Sequence, residues 1–229
     1  MPAKAHFSPA LFAFLRDLKK NNDRAWFKEH QERYEAAVRD PSLAFIRDFQ
    51  EPLEALSPHF VASAKKVGGS LFRIQRDTRF GKDKTPYKTQ VGIQFRHEDA
   101  RSAHAPGFYL HLEPGECFVG VGVWRPETAV ARTIREAIAE DPRGWQKATS
   151  GKAFARDFEL SGENLKRTPK PWSDDHPAAA ELRRKDFIAV KAVPISAVTR
   201  PDFLKAVVKD FKAGEPLMRF LCQAVDVPY

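Results

Sequence analysis

At 229 residues, 42% apolar and 30% charged, the chain is long enough to bury a sizeable core, and its 18 Phe and 4 Trp are ample to fill one. The formal net charge of +8 favours anionic partners: nucleic acid, phosphate-bearing small molecules or an acidic protein. Two cysteines, Cys117 and Cys222, are too few for a disulfide framework, and no apolar run approaches the roughly 18 residues needed to span a bilayer.

The N-terminal MPAKAHFSPALF has neither a long apolar stretch nor a small-residue cleavage site, so the expected setting is a cytoplasm with reduced thiols. Ser8-Pro9 opens a first helix, with Ser as N-cap and Pro at the first helical position. Leu11, Phe12, Leu15 and Leu18 recur at helical spacing until Asn21-Asn22. Asn22 or Asp23 caps a second helix reaching Asp40, with Trp26, Phe27, Tyr34 and Val38 as its apolar stripe. A third helix follows Asp40-Pro41, carries Leu43, Phe45, Ile46, Phe49 and Leu53, and ends near Ser57-Pro58.

Gly68-Gly69 breaks the helical pattern and the period becomes 2. Residues 70–76 alternate as a strand, with Leu71, Arg73 and Gln75 on one face and Phe72, Ile74 and Arg76 on the other. Residues 77–89 form a polar loop, anchored by Phe80 and Tyr87, and 90–96 a second strand. Residues 107–113 and 116–124, joined by Pro114-Gly115, read as a β-hairpin, because the connection is too short for a crossover. Gly120 and Gly122 share a face with Phe118 and Trp124, which leaves a groove for a side chain or a ligand. Residues 126–140 return to helix, and Asp141-Pro142 starts a short successor containing Trp145. Residues 150–176 look irregular, 186–193 read as one more strand, and the end is helical, with Gly214 as a C′ residue between two helices.

The expected fold is therefore α+β: a single domain over 1–229, with an antiparallel sheet of about five strands packed by N-terminal and C-terminal helices. Within it, 1–60 is a helical layer, 68–124 the sheet with its basic loop, and 126–229 helices plus one further strand.

Residues 69–96 carry seven cations, Arg73, Arg76, Arg79, Lys82, Lys84, Lys88 and Arg96, against two acids, Asp77 and Asp83. Arg offers a planar fork matched to phosphate or carboxylate oxygens, and Lys a movable point charge. If the loop folds back over the strand ends, Arg76, Arg79, Lys82, Lys84 and Lys88 converge on one anion, with Tyr87 available to stack and Asp77 and Asp83 orienting the cations from behind. Arg73 lies on the face opposite Arg76 and cannot simply share that ligand. The competing expectation is that the same charges form a salt-bridge network pinning the loop.

Tyr109, His111 and Glu113 share a strand face at alternate positions, a pattern open to acid–base work, though the usual alternation of half-buried strands favours a solvated outer face. Together with Gly120, Gly122 and Trp124, Tyr109 and His111 outline a possible cleft. No HxxxH, HExxH or CxxC pair is present, so no metal is expected, and Gly120-x-Gly122 lies inside a strand without the third glycine of a dinucleotide fingerprint. No residue is singled out as catalytic and no cofactor is implied.

The run Arg73-x-x-Arg76-Asp77-Thr78-Arg79-Phe80-x-Lys82-Asp83-Lys84-x-Pro86-Tyr87-Lys88 resembles the signature of the family named domain of unknown function 2461. Further matches are Phe14-Leu15, Asn21-Asn22, Trp26-Phe27, Gly107-x-Tyr109, Gly120-x-Gly122-x-Trp124-x-Pro126, Leu165-Lys166-Arg167-x-Pro169 and Asp186-Phe187. Gly81 departs from the Ser expected in that family. The resemblance implies a single domain with a basic site and brings no catalytic residues.

Three functions follow as expectations. The first is binding of, or catalysis on, a phosphorylated or carboxylated small molecule or nucleotide at the basic site. The second is a nucleic-acid-binding module that adds Arg96 and the wider basic surface. The third is a structural or interaction protein whose loop is an internal ion-pair network.

Overall fold

The computed structural model describes residues 5–79, 82–99 and 105–229. Its frame is an antiparallel sheet of six strands among the described residues, in the order β1-β2-β3-β4-β6-β5. The strands are β1 (Phe60–Val61), β2 (Val91–His97), β3 (Gly107–Glu113), β4 (Glu116–Val123), β5 (Glu159–Ser161) and β6 (Phe187–Ala192). The β3–β4 hairpin has the register expected from its sequence, with Leu110 opposite Val119 and Glu113 opposite Glu116, and Gly115 takes the positive φ of its turn.

Strict alternation divides the sheet. Val91, Ile93, Phe95, Phe108, Leu110, Leu112, Val119, Val121, Val123, Phe187 and Ala189 are all buried on one face. Helices from both ends of the chain pack on that face. The helices among the described residues are α1 (Pro9–Lys20), α2 (Arg24–Glu29), α3 (Gln31–Tyr34), α4 (Asp40–Asp48), α5 (Gln50–Leu56), α6 (Thr128–Glu140), α7 (Pro142–Ser150), α8 (Lys152–Asp157), α9 (Ala179–Leu182), α10 (Ile195–Val198), α11 (Phe203–Ala213) and α12 (Glu215–Ala224), of which α5 meets β1 and α11 and α12 meet β4. Aromatic rings tie the layers together. Phe49 stacks on Phe95 with centroids 4.7 Å apart, and Phe211 of α11 lies 4.8 Å from Phe108. Rings meeting in offset or edge geometry add to their area burial. Among the described residues no helix is long and apolar enough to cross a membrane.

Local signals explain several element starts. The Ser8 hydroxyl accepts the Ala10 N–H, and Asp23 Oδ1 accepts the Trp26 N–H at 2.9 Å. The second helix is not continuous, however. It divides at His30 and passes through a π-helical turn, Glu35–Arg39, before Asp40. Residues 70–76 are not a strand either: only Leu71 and Gln75 form isolated bridges, to Ile93 and Tyr87. The chain follows the edge of β2 through Phe72 N–H to Gly92 O (2.9 Å), then swings away to pair with 86–88 through Arg76 N–H to Pro86 O (2.9 Å). The irregular 150–176 stretch conceals α8 and β5. Gly214 is not left-handed, with φ −82°; it is small because an added methyl would meet Val121 Cγ1 at 2.8 Å.

Two acids fix the far edge. Asp186, buried, accepts the backbone N–H of Arg125 at 2.7 Å and of Glu163 at 2.9 Å, and holds Arg125 at φ +48°. Asp157 accepts from Arg156 at 2.7 Å and from Lys191 at 3.3 Å, and Lys191 also reaches Asp210 at 2.6 Å. Arg156 first, then Lys191, hold the Asp157 carboxyl at about 2, below the ordinary value of about 3.9. A carboxyl depressed by folding stabilises the native state above its unfolded pKa and ceases to do so as pH falls through the folded one. Urea titrations of Asp157→Asn are thus expected to show a shallower stability loss than wild type between about pH 4 and pH 2.

Candidate functional site

The described part of the 77–89 loop is tied to itself. Arg76 Nη1 donates to Asp83 and, at 2.8 Å, to Thr85 Oγ1, while Asp83 Oδ1 also accepts the Thr85 N–H at 2.9 Å. Arg79 grips Asp77 through Nε at 3.0 Å and Nη2 at 2.7 Å. Lys84 Nζ donates to the Thr78 carbonyl and Lys88 Nζ to the Arg73 carbonyl, each at 2.8 Å. Arg79 holds the Asp77 carboxyl well below its usual range, and the Thr85 donors, then Arg76, lower the pKa of Asp83. Lys82 is exposed and has no hydrogen bond or ion pair among the described residues. Phe80 and Gly81, expected respectively as an anchor and as a departure from the family pattern, lie outside the described residues.

These pairs are exposed, so they hold loop shape more than they hold the fold. The double reversal Arg79→Glu with Lys84→Glu is accordingly expected to move the thermal midpoint by no more than a few degrees, read from a melting curve.

Tyr87 is the apolar anchor its loop was expected to have: its ring, which was also available to stack on a ligand, is buried and lies parallel to Phe27, 4.1 Å away. Its backbone is clamped by Asn22, whose Nδ2 donates to Tyr87 O and whose Oδ1 accepts Tyr87 N–H, both at 3.0 Å. Tyr87 therefore roots the basic arm in the helical layer.

The concave feature beside this arm uses other cations. A cleft of about 570 Å³ opens between the helical layer and residues 66–75. Four cations line it, Arg39, Lys66, Arg73 and Arg96, against one acid, Glu35. Glu35 is engaged by Gln31 and Arg39, which lower its pKa in that order. Arg96 Nε donates to Gln94 Oε1 at 3.0 Å, and its guanidinium carbon sits 5.9 Å from the Phe72 ring centre. The Arg73 guanidinium and the Lys66 ammonium make no hydrogen bond or ion pair among the described residues. Phe27, Tyr34 and Phe72 supply aromatic wall.

The cations thus divide. Arg76, Arg79, Lys82, Lys84 and Lys88 do not line the cleft, whereas Arg73 does. Burial first, then the neighbouring Arg73 and Arg76 charges, lower the Lys88 pKa, which places it at the junction of the two groups. Arg39 and Lys66 were not anticipated. Lys65-Lys66, immediately before the Gly68-Gly69 break, was the available signal.

The outer sheet face carries a polar chain. Tyr109 Oη donates to His111 Nδ1 at 3.1 Å, and His111 Nε2–H points to Glu113 Oε2 at a long 3.4 Å. Glu113 Oε1 also accepts from Thr89 at 3.2 Å, and His111 stacks on Phe118 at 4.6 Å. The face is half-buried and hydrogen-bonded instead of simply solvated; burial pushes the Tyr109 hydroxyl up to about 12. A methyl group on Gly120 would lie 3.8 Å from Tyr109 Cβ, so the ring flanks that glycine as the groove required. Gly122 instead presses against the Phe187 carbonyl, and Trp124, 59% exposed, stacks under Arg125 with the guanidinium 4.6 Å from its ring. These five residues therefore do not close into one cleft.

Both cysteines are buried, and burial raises their thiols, Cys222 to about 12. Among the described residues no group of three or more His, Cys, Asp or Glu is placed to hold a metal ion.

No curated protein and no solved structure matches the chain. The model of the family described as conserved hypothetical protein (DUF2461) matches residues 10–220 of the 229, and the chain belongs to that family.

Proposed function

We propose that the protein binds a small molecule bearing a phosphate or carboxylate group, with the anion held by Arg73, Lys66 and Arg96 in the cleft. One observation carries this reading: two cations, Arg73 and Lys66, that make no hydrogen bond or ion pair among the described residues line a cavity with four positive groups and one negative one. A cavity of about 570 Å³ falls within the usual range of small-molecule sites. Its aromatic wall of Phe27, Tyr34 and Phe72 suits an apolar or ring-bearing remainder, as in a nucleotide. The basic arm then serves as scaffold: Lys88 fixes the Arg73 carbonyl and packs its ammonium 5.6 Å from the Phe72 ring centre.

Thermal denaturation against a panel of nucleotides, sugar phosphates, dicarboxylates and short single-stranded and duplex DNA tests this. A ligand at a hundred times its Kd adds about 2.7 kcal/mol, or about 5–10 °C for a chain of this size. Stabilisation by one class of small anion is expected. Stabilisation by DNA alone, growing with length and falling steeply with salt, would move the function to nucleic acid. No response to any member would overturn the proposal.

A further inference from the structure

A second basic cavity lies at the opposite end of the sheet. It measures about 540 Å³ and is lined by Arg125, Pro126, Arg135, Glu163, Leu165, Lys185 and Asp186, among others. Three of the segments that carry the family resemblance, around Pro126, Leu165 and Asp186, converge here although they are far apart in the chain.

Arg135 of α6 is the unusual member. It is only 9% exposed, yet it forms no ion pair among the described residues. Its Nε donates to the Leu182 carbonyl at 2.8 Å and its Nη2 to the Arg184 carbonyl at 2.5 Å, which leaves Nη1 without a protein acceptor among the described residues. A buried charge needs a counter-charge or a full set of hydrogen bonds, and two carbonyl dipoles are neither. The acids nearby are committed elsewhere. Asp186 is taken by the Arg125 and Glu163 amides, and Glu163 by Lys185 at 3.0 Å. Burial also lowers the pKa of Arg135, the direction expected for a cation lacking a carboxylate.

We infer that this cavity is a second anion site, separate from the cleft, in which the Nη1 donors of Arg135 hold a compact oxyanion, a phosphate or carboxylate group, with Lys185 and Arg125 at its rim. Arg is suited to the inner position because its charge persists on burial and its fork directs donors two ways at once, to the carbonyls behind and the ligand in front.

The test is a backbone amide NMR titration of the full chain with inorganic phosphate and, in parallel, acetate. The expected result is saturable shifts at Arg125, Glu163 and Lys185 that are unchanged in Arg73→Gln, a cleft variant. Arg135→Gln should weaken the response at least about tenfold, the loss of a charge-assisted contact. Should Arg135→Gln not fold, Lys185→Gln with Arg125→Gln carries the same expectation at exposed positions and should leave the melting midpoint unchanged. Phosphate responding without acetate, or the reverse, identifies the oxyanion. Absence of shifts around the cavity with both anions, or shifts equal in wild type and rim variants, would overturn the inference and leave Arg135 as a clamp on residues 182–184.

Discussion

Asp186→Ala is expected to lose about 3–6 kcal/mol of folding stability, the sum of two charge-assisted hydrogen bonds of about 1.5–3 kcal/mol each. The Ala substitution leaves the buried N–H groups of Arg125 and Glu163 without their acceptor. It also frees Arg125 from φ +48°, a left-handed conformation a long side chain adopts only when held. Asp186→Asn retains one carbonyl oxygen but turns an amide donor toward a second N–H, so about half the loss is expected. Urea denaturation measures both variants. A loss below about 1 kcal/mol for Asp186→Ala would show that the carboxylate does not clamp the two segments.

Gly122→Ala is the second large effect. Gly122 has φ +121°, open essentially to glycine alone, and a methyl group there would collide with the carbonyl oxygen of Phe187 on the neighbouring strand. Strain of about 1–3 kcal/mol is joined by displacement of β6 at the Gly122–Ile188 pair, for a total of about 3 kcal/mol or more. Gly120→Ala is the control. Its nearest contacts would be at 3.8 Å, from Ala189 O and Tyr109 Cβ, and its effect should stay within about 1 kcal/mol. Equal losses in the two variants would contradict the argument.

Much of the fold was legible because its cues are local. Ser8-Pro9 and Asp23 cap as their side chains dictate, and Pro114-Gly115 sets the hairpin register. What was missed depends on tertiary competition. Residues 70–76 have the alternation of a strand, but their partner changes midway from β2 to residues 86–88, so no ladder develops. The two-residue β1 and three-residue β5 are too short to carry a period. At the site, net charge and the basic run singled out the arm, whereas the cleft beside it is lined by Arg39, Lys66, Arg73 and Arg96. The Asp77 and Asp83 spacing favours local pairing, which engages Arg76 and Arg79 within the arm. The cleft instead gathers Arg39 and Lys66 from segments whose approach is set by packing around Phe27 and Tyr87, invisible to any short window.

The most direct measurement is calorimetric titration of the best-stabilising small anion into wild type, into Arg73→Gln with Lys66→Gln, and into Lys82→Gln with Lys84→Gln. The cleft pair is expected to lose at least about a hundredfold in affinity, since each lost charge-assisted contact is worth about 1.5–3 kcal/mol, while the arm pair binds as wild type does. Unchanged affinity in the cleft pair, with loss confined to the arm pair, would contradict the account and return the site to the loop.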